Sequence, residues 1–267
     1  MLRSPAVAGQ FYPKHPEALA RTLDQLIPPR QEKRAAIGVM VPHAGYVYSG
    51  GVAGKTFAGV VIPPEVVILG PNHHGIGAPV AVDTCSGWTT PLGDVTIAAE
   101  LAAAILAATP LATADTEAHR SEHSLEVQVP FLQAEARDAA IVPICLGRVP
   151  LDQLLALGDG LAAAMRTRPS LPLLVASSDM THYESAEVAR RKDHLALQHV
   201  LDLDPEGLFR TVRDQRISMC GVLPTVVMLR AALALGATHA ELVAYANSGD
   251  VTGDQRQVVG YAGVVVS

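Results

Sequence analysis

The chain has 267 residues, 49% of them apolar, with 22 Gly, 19 Pro and a net charge of −6. This suits one large α/β domain or two small ones with a full-sized core. The basic residues are scattered and only 4% of residues are aromatic, so neither the clustered basic face nor the stacking platform of a nucleic-acid binder is expected.

Three cysteines, Cys85, Cys145 and Cys220, are too few and too unevenly placed for a disulfide framework. The opening "MLRSPAVAGQFYP" lacks the apolar stretch of a signal peptide, and the Ala/Leu-rich segment 228–246 is interrupted by Arg230, His239 and Glu241. No leader and no membrane span is therefore expected, and the compartment expected is the cytoplasm.

In chain order, the pattern predicts a helix over 16–26, where Leu19, Leu23 and Leu26 share a face. A strand over 37–41, a helix over 51–58 and a strand over 66–69 follow, then helices over 96–107 and 125–135. A strand over 141–144, a helix over 151–165 and a strand over 173–176 come next. Helices over 186–201, 205–212 and 224–235 follow; the second has Asp204 as its cap and Pro205 at its first position. Strands over 241–245 and 258–266 close the chain. Such alternation predicts a single α/β domain over 1–267, a layered sandwich whose central mixed or largely parallel sheet carries helices on both faces.

Three of the strands run straight into polar loops that bear histidine. Strand 37–41 leads into "PHAGY" with His43, strand 66–69 into "GPNHHG" with His73 and His74, and strand 173–176 into "SSDMTHY" with Asp179 and His182. Open α/β sheets bind ligands beyond the carboxyl ends of their strands, so parallel neighbours would bring these loops to one site. A lone histidine after a strand is more often a hydrogen-bonded structural residue; three at equivalent positions favour convergence. Imidazoles with a carboxylate are a common donor set for zinc, iron and copper.

Cys220, in "CGVLP", precedes a predicted helix whose N-terminus would stabilise a thiolate for metal binding or nucleophilic chemistry. Cys145 lies inside an apolar strand and reads as core, and Cys85 receives no role. In "SEHSLEVQVPFLQ", Ser121 and Glu122 read as a helix cap with acidic residues suited to the dipole, or else His123 joins the site as a hydrogen-bond donor or acid–base group. The pattern leaves both open.

The segments "AVAGQFYP", "PHAGYVYSG", "ILGPNHHG", "EHSLEVQVPFLQ", "SSDMTHY", "CGVLP", "YANSGD" and "GYAG", in this order, resemble the Memo family, whose bacterial and archaeal members are often labelled AmmeMemoRadiSam system protein B. The resemblance covers essentially the whole chain. It implies a fold similar to the class III extradiol dioxygenases, which hold iron with two His and one Glu and use a further His for acid–base catalysis. Carried over, it makes His43 and His73 the imidazole ligands and Cys220 the third ligand in place of the carboxylate. His182 becomes the acid–base group with Asp179 beside it, and His74 a neighbour that shapes the pocket. The thiolate departs from the dioxygenase pattern and softens the site, so one first-row metal is expected, iron first, with copper or zinc as the other candidates.

Two functions are compatible with these residues. One is a non-haem-metal redox enzyme acting on a small-molecule substrate, with His182, Asp179 and His123 as its proton-transfer set. The other is a binding or scaffold protein whose dioxygenase-like pocket takes a short partner segment without turnover. A hydrolase with Cys220 as nucleophile and His182 as base is a third, weaker option.

Overall fold

The computed structural model describes residues 1–29 and 32–267. Its elements begin with β1 (Leu2–Arg3), α1 (Pro16–Leu26), β2 (Gly38–Val41), α2 (Tyr46–Ala58), β3 (Glu65–Pro71), β4 (Val80–Val82), β5 (Gly87–Thr90) and β6 (Gly93–Thr96). Next come α3 (Ala99–Ala108), β7 (Thr113–Ala114), α4 (Val129–Glu135), β8 (Ala140–Leu146), α5 (Leu151–Met165), β9 (Leu173–Ser177) and β10 (His182–Glu184). The chain ends with α6 (Ala186–Leu201), α7 (Pro205–Asp214), α8 (Val222–Ala234), β11 (Ala240–Asn247), α9 (Gly249–Thr252) and β12 (Val258–Val266).

The expected elements are present with shifted ends. Helix α2 begins five residues before the predicted 51, and the predicted helix 125–135 divides into a 3-10 turn, Glu126–Gln128, followed by α4. Strands β1, β4 to β7 and β10 were not expected; each has two to four residues, too few to carry a periodicity.

The apolar runs build the centre of the main sheet, whose order is β10-β12-β2-β9-β3-β8-β4-β7 with β11 also paired to β12. Strands β2, β9, β3 and β8 are mutually parallel, and β12 and β4 flank them antiparallel. The sheet is therefore mixed, as expected. Register is tight: Met40, Ala176 and Leu69 form one row across β2, β9 and β3, and Val39, Val175 and Ile68 form the next. Alternate residues serve opposite cores. Met40, Val67, Leu69, Leu174 and Ala176 pack with α3, α5, α6, α7 and α8. Val39, Val41, Val66, Ile68 and Val175 pack with α1, α2, α4 and the small sheet β1-β5-β6. A strand covered on both faces needs no polar alternation, which is why these runs read as continuous.

The N-terminal segment is tied across the second face by buried charge. Glu126 accepts hydrogen bonds from Arg3 Nη1 at 2.7 Å, the backbone N–H of Ala6 at 2.8 Å and of Val7 at 3.0 Å, and the Tyr12 hydroxyl at 2.6 Å. Arg3 donates further to the carbonyls of His119 at 2.6 Å and Glu122 at 2.9 Å, and its guanidinium lies 4.2 Å from the centre of the Trp88 ring. Both members of the pair are buried. Removing one partner of such a pair leaves the other charge without compensation, which typically costs about 3–5 kcal/mol. Glu126→Ala is thus expected to lower the unfolding free energy by about that amount, read as a lower urea midpoint.

Candidate metal centre

Because β2, β9 and β3 run parallel and in register, the loops that follow them leave on one edge of the sheet. His43 lies two residues beyond β2, His73 two beyond β3, and Asp179 two beyond β9. Two further segments are brought to this edge by close backbone approach. At Gly70 a Cβ would stand 2.6 Å from Leu125 Cγ and 2.8 Å from Ser124 Oγ, so a glycine admits the segment that carries Glu122 and His123. At Gly221 a Cβ would stand 2.3 Å from the Ser177 carbonyl oxygen, and its absence lets Cys220 sit against the end of β9.

His43, His73 and His123 each offer one ligand atom, all within 4.8 Å of one another, and this group could hold a metal ion. His43 is buried, whereas the His73 side chain keeps 30% of its exposure. Cys220 Sγ lies 3.1 Å from His43 Nε2 and 3.6 Å from the Asp179 carbonyl oxygen. The histidine rings nest: His73 and His123 stack with centroids 4.6 Å apart, and His43 meets each edge-on at 5.3 and 5.5 Å.

Hydrogen bonds settle which imidazole nitrogen is free. Ser177 Oγ donates its single proton to the Ser124 carbonyl at 2.6 Å and accepts from Gln128 Nε2 at 2.9 Å. Its 2.9 Å contact with His43 Nδ1 must then be donated by the imidazole, which leaves the His43 Nε2 lone pair toward Cys220. His73 Nδ1 lies 2.8 Å from Glu122, and burial of that carboxylate is outweighed by hydrogen bonds from His73 and Ser124, which hold its pKa down to about 2. An ionised carboxylate only accepts, so His73 also carries its proton on Nδ1 and frees Nε2. Tying back Nδ1 in this way is how proteins prepare imidazole to ligate a metal.

The sites of the remaining expected residues are mixed. His182 donates its backbone N–H to Ser218 Oγ at 2.7 Å, and its Nδ1 lies 2.9 Å from the Ser218 carbonyl, which fixes the proton on Nδ1 and leaves Nε2 as the acceptor. Asp179 does not orient it; no hydrogen bond joins the two among the described residues. Asp179 instead accepts the backbone N–H of His43 at 2.7 Å, and burial raises its pKa to about 6. Cys220 also departs from expectation. It precedes the helix-capping Gly221 of α8, but burial, aided by the Asp179 charge, pushes its thiol well above the ordinary value. The dipole alone does not make a thiolate here.

Glu122 is no helix cap: the 3-10 turn and α4 have Leu125 and Gln128 at their N-termini with no side-chain cap, and the Glu122 carboxylate accepts from His73 and from the Ser124 backbone N–H. His74 is exposed, with Nε2 3.0 Å from the Ser121 carbonyl, and does not line the cavity. Cys145 is core, as expected. The partners Ser177, Gln128, Ser124 and Ser218 carried no sequence signal of their own, although Ser177, Ser124 and Gln128 sit inside the quoted motifs.

The cavity over this cluster has a volume of about 660 Å³ and is lined by His43, His73, His123, Asp179, His182 and Cys220 together with Phe11, Tyr48, Tyr183 and Tyr261. Tyr183 has φ +60, and the pairing of β10 with β12 shifts register between His182 and Glu184. That irregularity lets neighbours His182 and Tyr183 both face the cavity, where regular alternation would send them to opposite sides.

Residues 3–265 match the family described as Memo-like protein. The chain belongs to the Memo-like family. It is 42% identical to a MEMO1 family protein of Methanosarcina barkeri, covering 99% of this chain and all of that one, and 44% identical to one of Aquifex aeolicus, covering 99% and 98%. Among solved structures, an uncharacterized protein from Escherichia coli K12 superposes with a TM-score of 0.52 at 15% identity, over 84% of this chain and 98% of that one, which shows the fold alone. No helix among the described residues of this Memo-like chain is long and apolar enough to cross a membrane.

Burial of the His43 ring and part-burial of the His123 ring, which disfavour their protonated forms, make acid a specific stress. Burial, opposed only in part by Glu122, lowers the pKa of His123 from 6.5 to about 4. An unfolded chain takes up that proton near pH 6.5, the folded chain only near 4. This contribution to stability is thus complete above pH 6.5 and lost as pH falls toward 4. Asp179, raised to about 6, acts in the opposite sense over the same range in wild type and variant alike, so the His123 contribution is read as a difference. In metal-free protein His123→Asn is expected to lose less of its urea midpoint than wild type between pH 7 and pH 4.5.

Proposed function

We propose that this protein is a metal-dependent redox enzyme whose first-row metal, iron before copper, is held by His43, His73 and Cys220. The observation that carries the proposal is the donor set itself. Two imidazoles have Nδ1 tied back to Ser177 and Glu122, and the freed Nε2 of His43 faces the Cys220 sulfur at the floor of an open cavity. Soft thiolate beside imidazole suits iron, copper or zinc. When bound, iron or copper supplies Lewis acidity and one-electron chemistry toward O₂ or a small substrate. It would also draw the proton from Cys220, whose burial otherwise keeps the thiol protonated.

The remaining side chains divide the other work. His182 presents Nε2 to the cavity as proton acceptor, with Ser218 holding the ring. Asp179 fixes the backbone of His43 and so the position of that imidazole. His123 stands between two roles, close enough to the imidazole pair to join the donors and on the cavity wall where it can pass a proton. The chamber admits a small substrate, with the Phe11 ring, tilted by 41° and centred 4.6 Å from His123, as part of its wall.

Elemental analysis of untagged protein purified anaerobically is expected to find a redox-active metal at close to one per chain. Zinc alone, with no O₂ uptake in the presence of ascorbate after loading with iron or copper, would overturn the redox reading. Binding of a partner segment in the pocket under those conditions would favour a scaffold. The assignments separate by mutation. Cys220→Ala is expected to reduce metal occupancy, whereas His182→Ala keeps the metal and lowers turnover about 10²–10⁴-fold. Loss of metal from His182→Ala would make it a ligand.

A further inference from the structure

Glu122 is a fully buried carboxylate beside the cluster. Its Oε2 accepts the backbone N–H of His73 at 2.7 Å, while Oε1 accepts His73 Nδ1–H at 2.8 Å and the backbone N–H of Ser124 at 2.9 Å. The Nδ1 of His123 stands 3.4 Å from the same Oε1. One oxygen therefore faces the Nδ1 atoms of two imidazoles, and those two rings lie nearly parallel, 19° apart. The Glu122 carbonyl is itself anchored by Arg3 Nη2 at 2.9 Å, so the carboxylate projects from a fixed point.

We propose that Glu122 is the positioning residue of the centre, a shared carboxylate that sets His73 and His123 as a parallel pair and keeps each imidazole's Nε2 unprotonated for a metal. The proposal rests on the metal-binding reading of the site. A carboxylate is required for this arrangement because all three groups hydrogen-bonded to it, His73 N–H, His73 Nδ1–H and Ser124 N–H, are donors. The amide of a glutamine would turn at least one N–H toward another N–H and release either the ring or the loop. The negative charge also makes the imidazole opposite it a better donor to a cation, as carboxylate–histidine–metal pairs do elsewhere. A purely structural brace would need only the two backbone bonds, to His73 and Ser124. The bond to His73 Nδ1 and the approach of His123 Nδ1 to the same oxygen are what point to the centre.

The test uses the full-length chain and Co(II) alone as the probe, followed by its visible absorption and by competition with a chelator. Glu122→Gln is expected to weaken Co(II) binding about 10–100-fold, the usual effect of losing such a partner, and Glu122→Asp to recover part of it. In long-range ¹H–¹⁵N spectra of metal-free wild type, His73 is expected wholly in the Nδ1–H form, and Glu122→Gln is expected to populate the Nε2–H form. A folded Glu122→Gln with wild-type Co(II) affinity and an unchanged His73 tautomer would overturn the proposal. So would Nε2–H at His73 in the wild type, a measurement that needs no variant to fold. Failure of the wild type to bind Co(II) instead strikes the metal reading, and the His73 tautomer then decides the role of Glu122 separately.

Discussion

Parallel pairing of β2 and β3 on the two sides of β9 is the constraint to which the rest of the molecule answers. Strands that run the same way leave a sheet on the same edge, and the row Met40–Ala176–Leu69 makes these three leave at the same height. Helices cover both faces, so each of the three strands can be apolar almost to its end. Polar chemistry is thereby concentrated where the backbone emerges. Two segments from elsewhere complete the ring of donors, and each passes a position where a side chain would collide, Gly70 or Gly221. Packing brings the parts together; hydrogen bonding then chooses which atom each part presents.

Much of this was legible in the sequence because it rests on patterns that survive without coordinates. Covered strands are uninterrupted runs of Val, Ile and Leu, and the residues just beyond them, His43, His73, Asp179 and His182, stood out against that background. Cys220 was visible because of the glycine and the helix that follow it. The bracing residues were not legible. Ser177, Ser124 and Gln128 are ordinary polar residues whose work depends on a neighbour 49 or more positions away, as with Gln128 and Ser177. Glu122 read as part of a cap because serine is a capping residue and an acidic neighbour ahead of a helix suits its dipole. Only the approach of the β3 loop gives it another partner. Asp179 and His182 share a motif, yet a turn of the chain sends one inward to His43 and the other outward to Ser218.

Glu122 and Glu126 show how four residues of spacing separate two uses of one side chain. Both are buried and ionisable, and both are satisfied almost entirely by donors. Glu126 faces a fixed cation and the N-terminal backbone, so its bonds close a structural seam. Glu122 faces imidazole, whose second nitrogen is free to act, so a bond of the same length transmits an effect to the cavity. Arg3 touches both, through the carboxylate of one and the carbonyl of the other. The same short segment also delivers Phe11 to the His123 ring, so the chain's first dozen residues grip the site from two directions.

That grip passes over the molecule's single tryptophan. Trp88 is the one indole in the sequence, it is buried, its Nε1 donates to Asp83 at 2.8 Å, and the Arg3 guanidinium carbon lies 4.2 Å from its ring centre. Intrinsic indole emission therefore comes from one place, the seam between the N-terminal segment and the small sheet. Detachment of that segment would bare the ring to water and shift its emission to the red while the main sheet stayed intact. The protein thus carries a built-in optical gauge of whether its leading strand is seated, distinct from any signal of global unfolding.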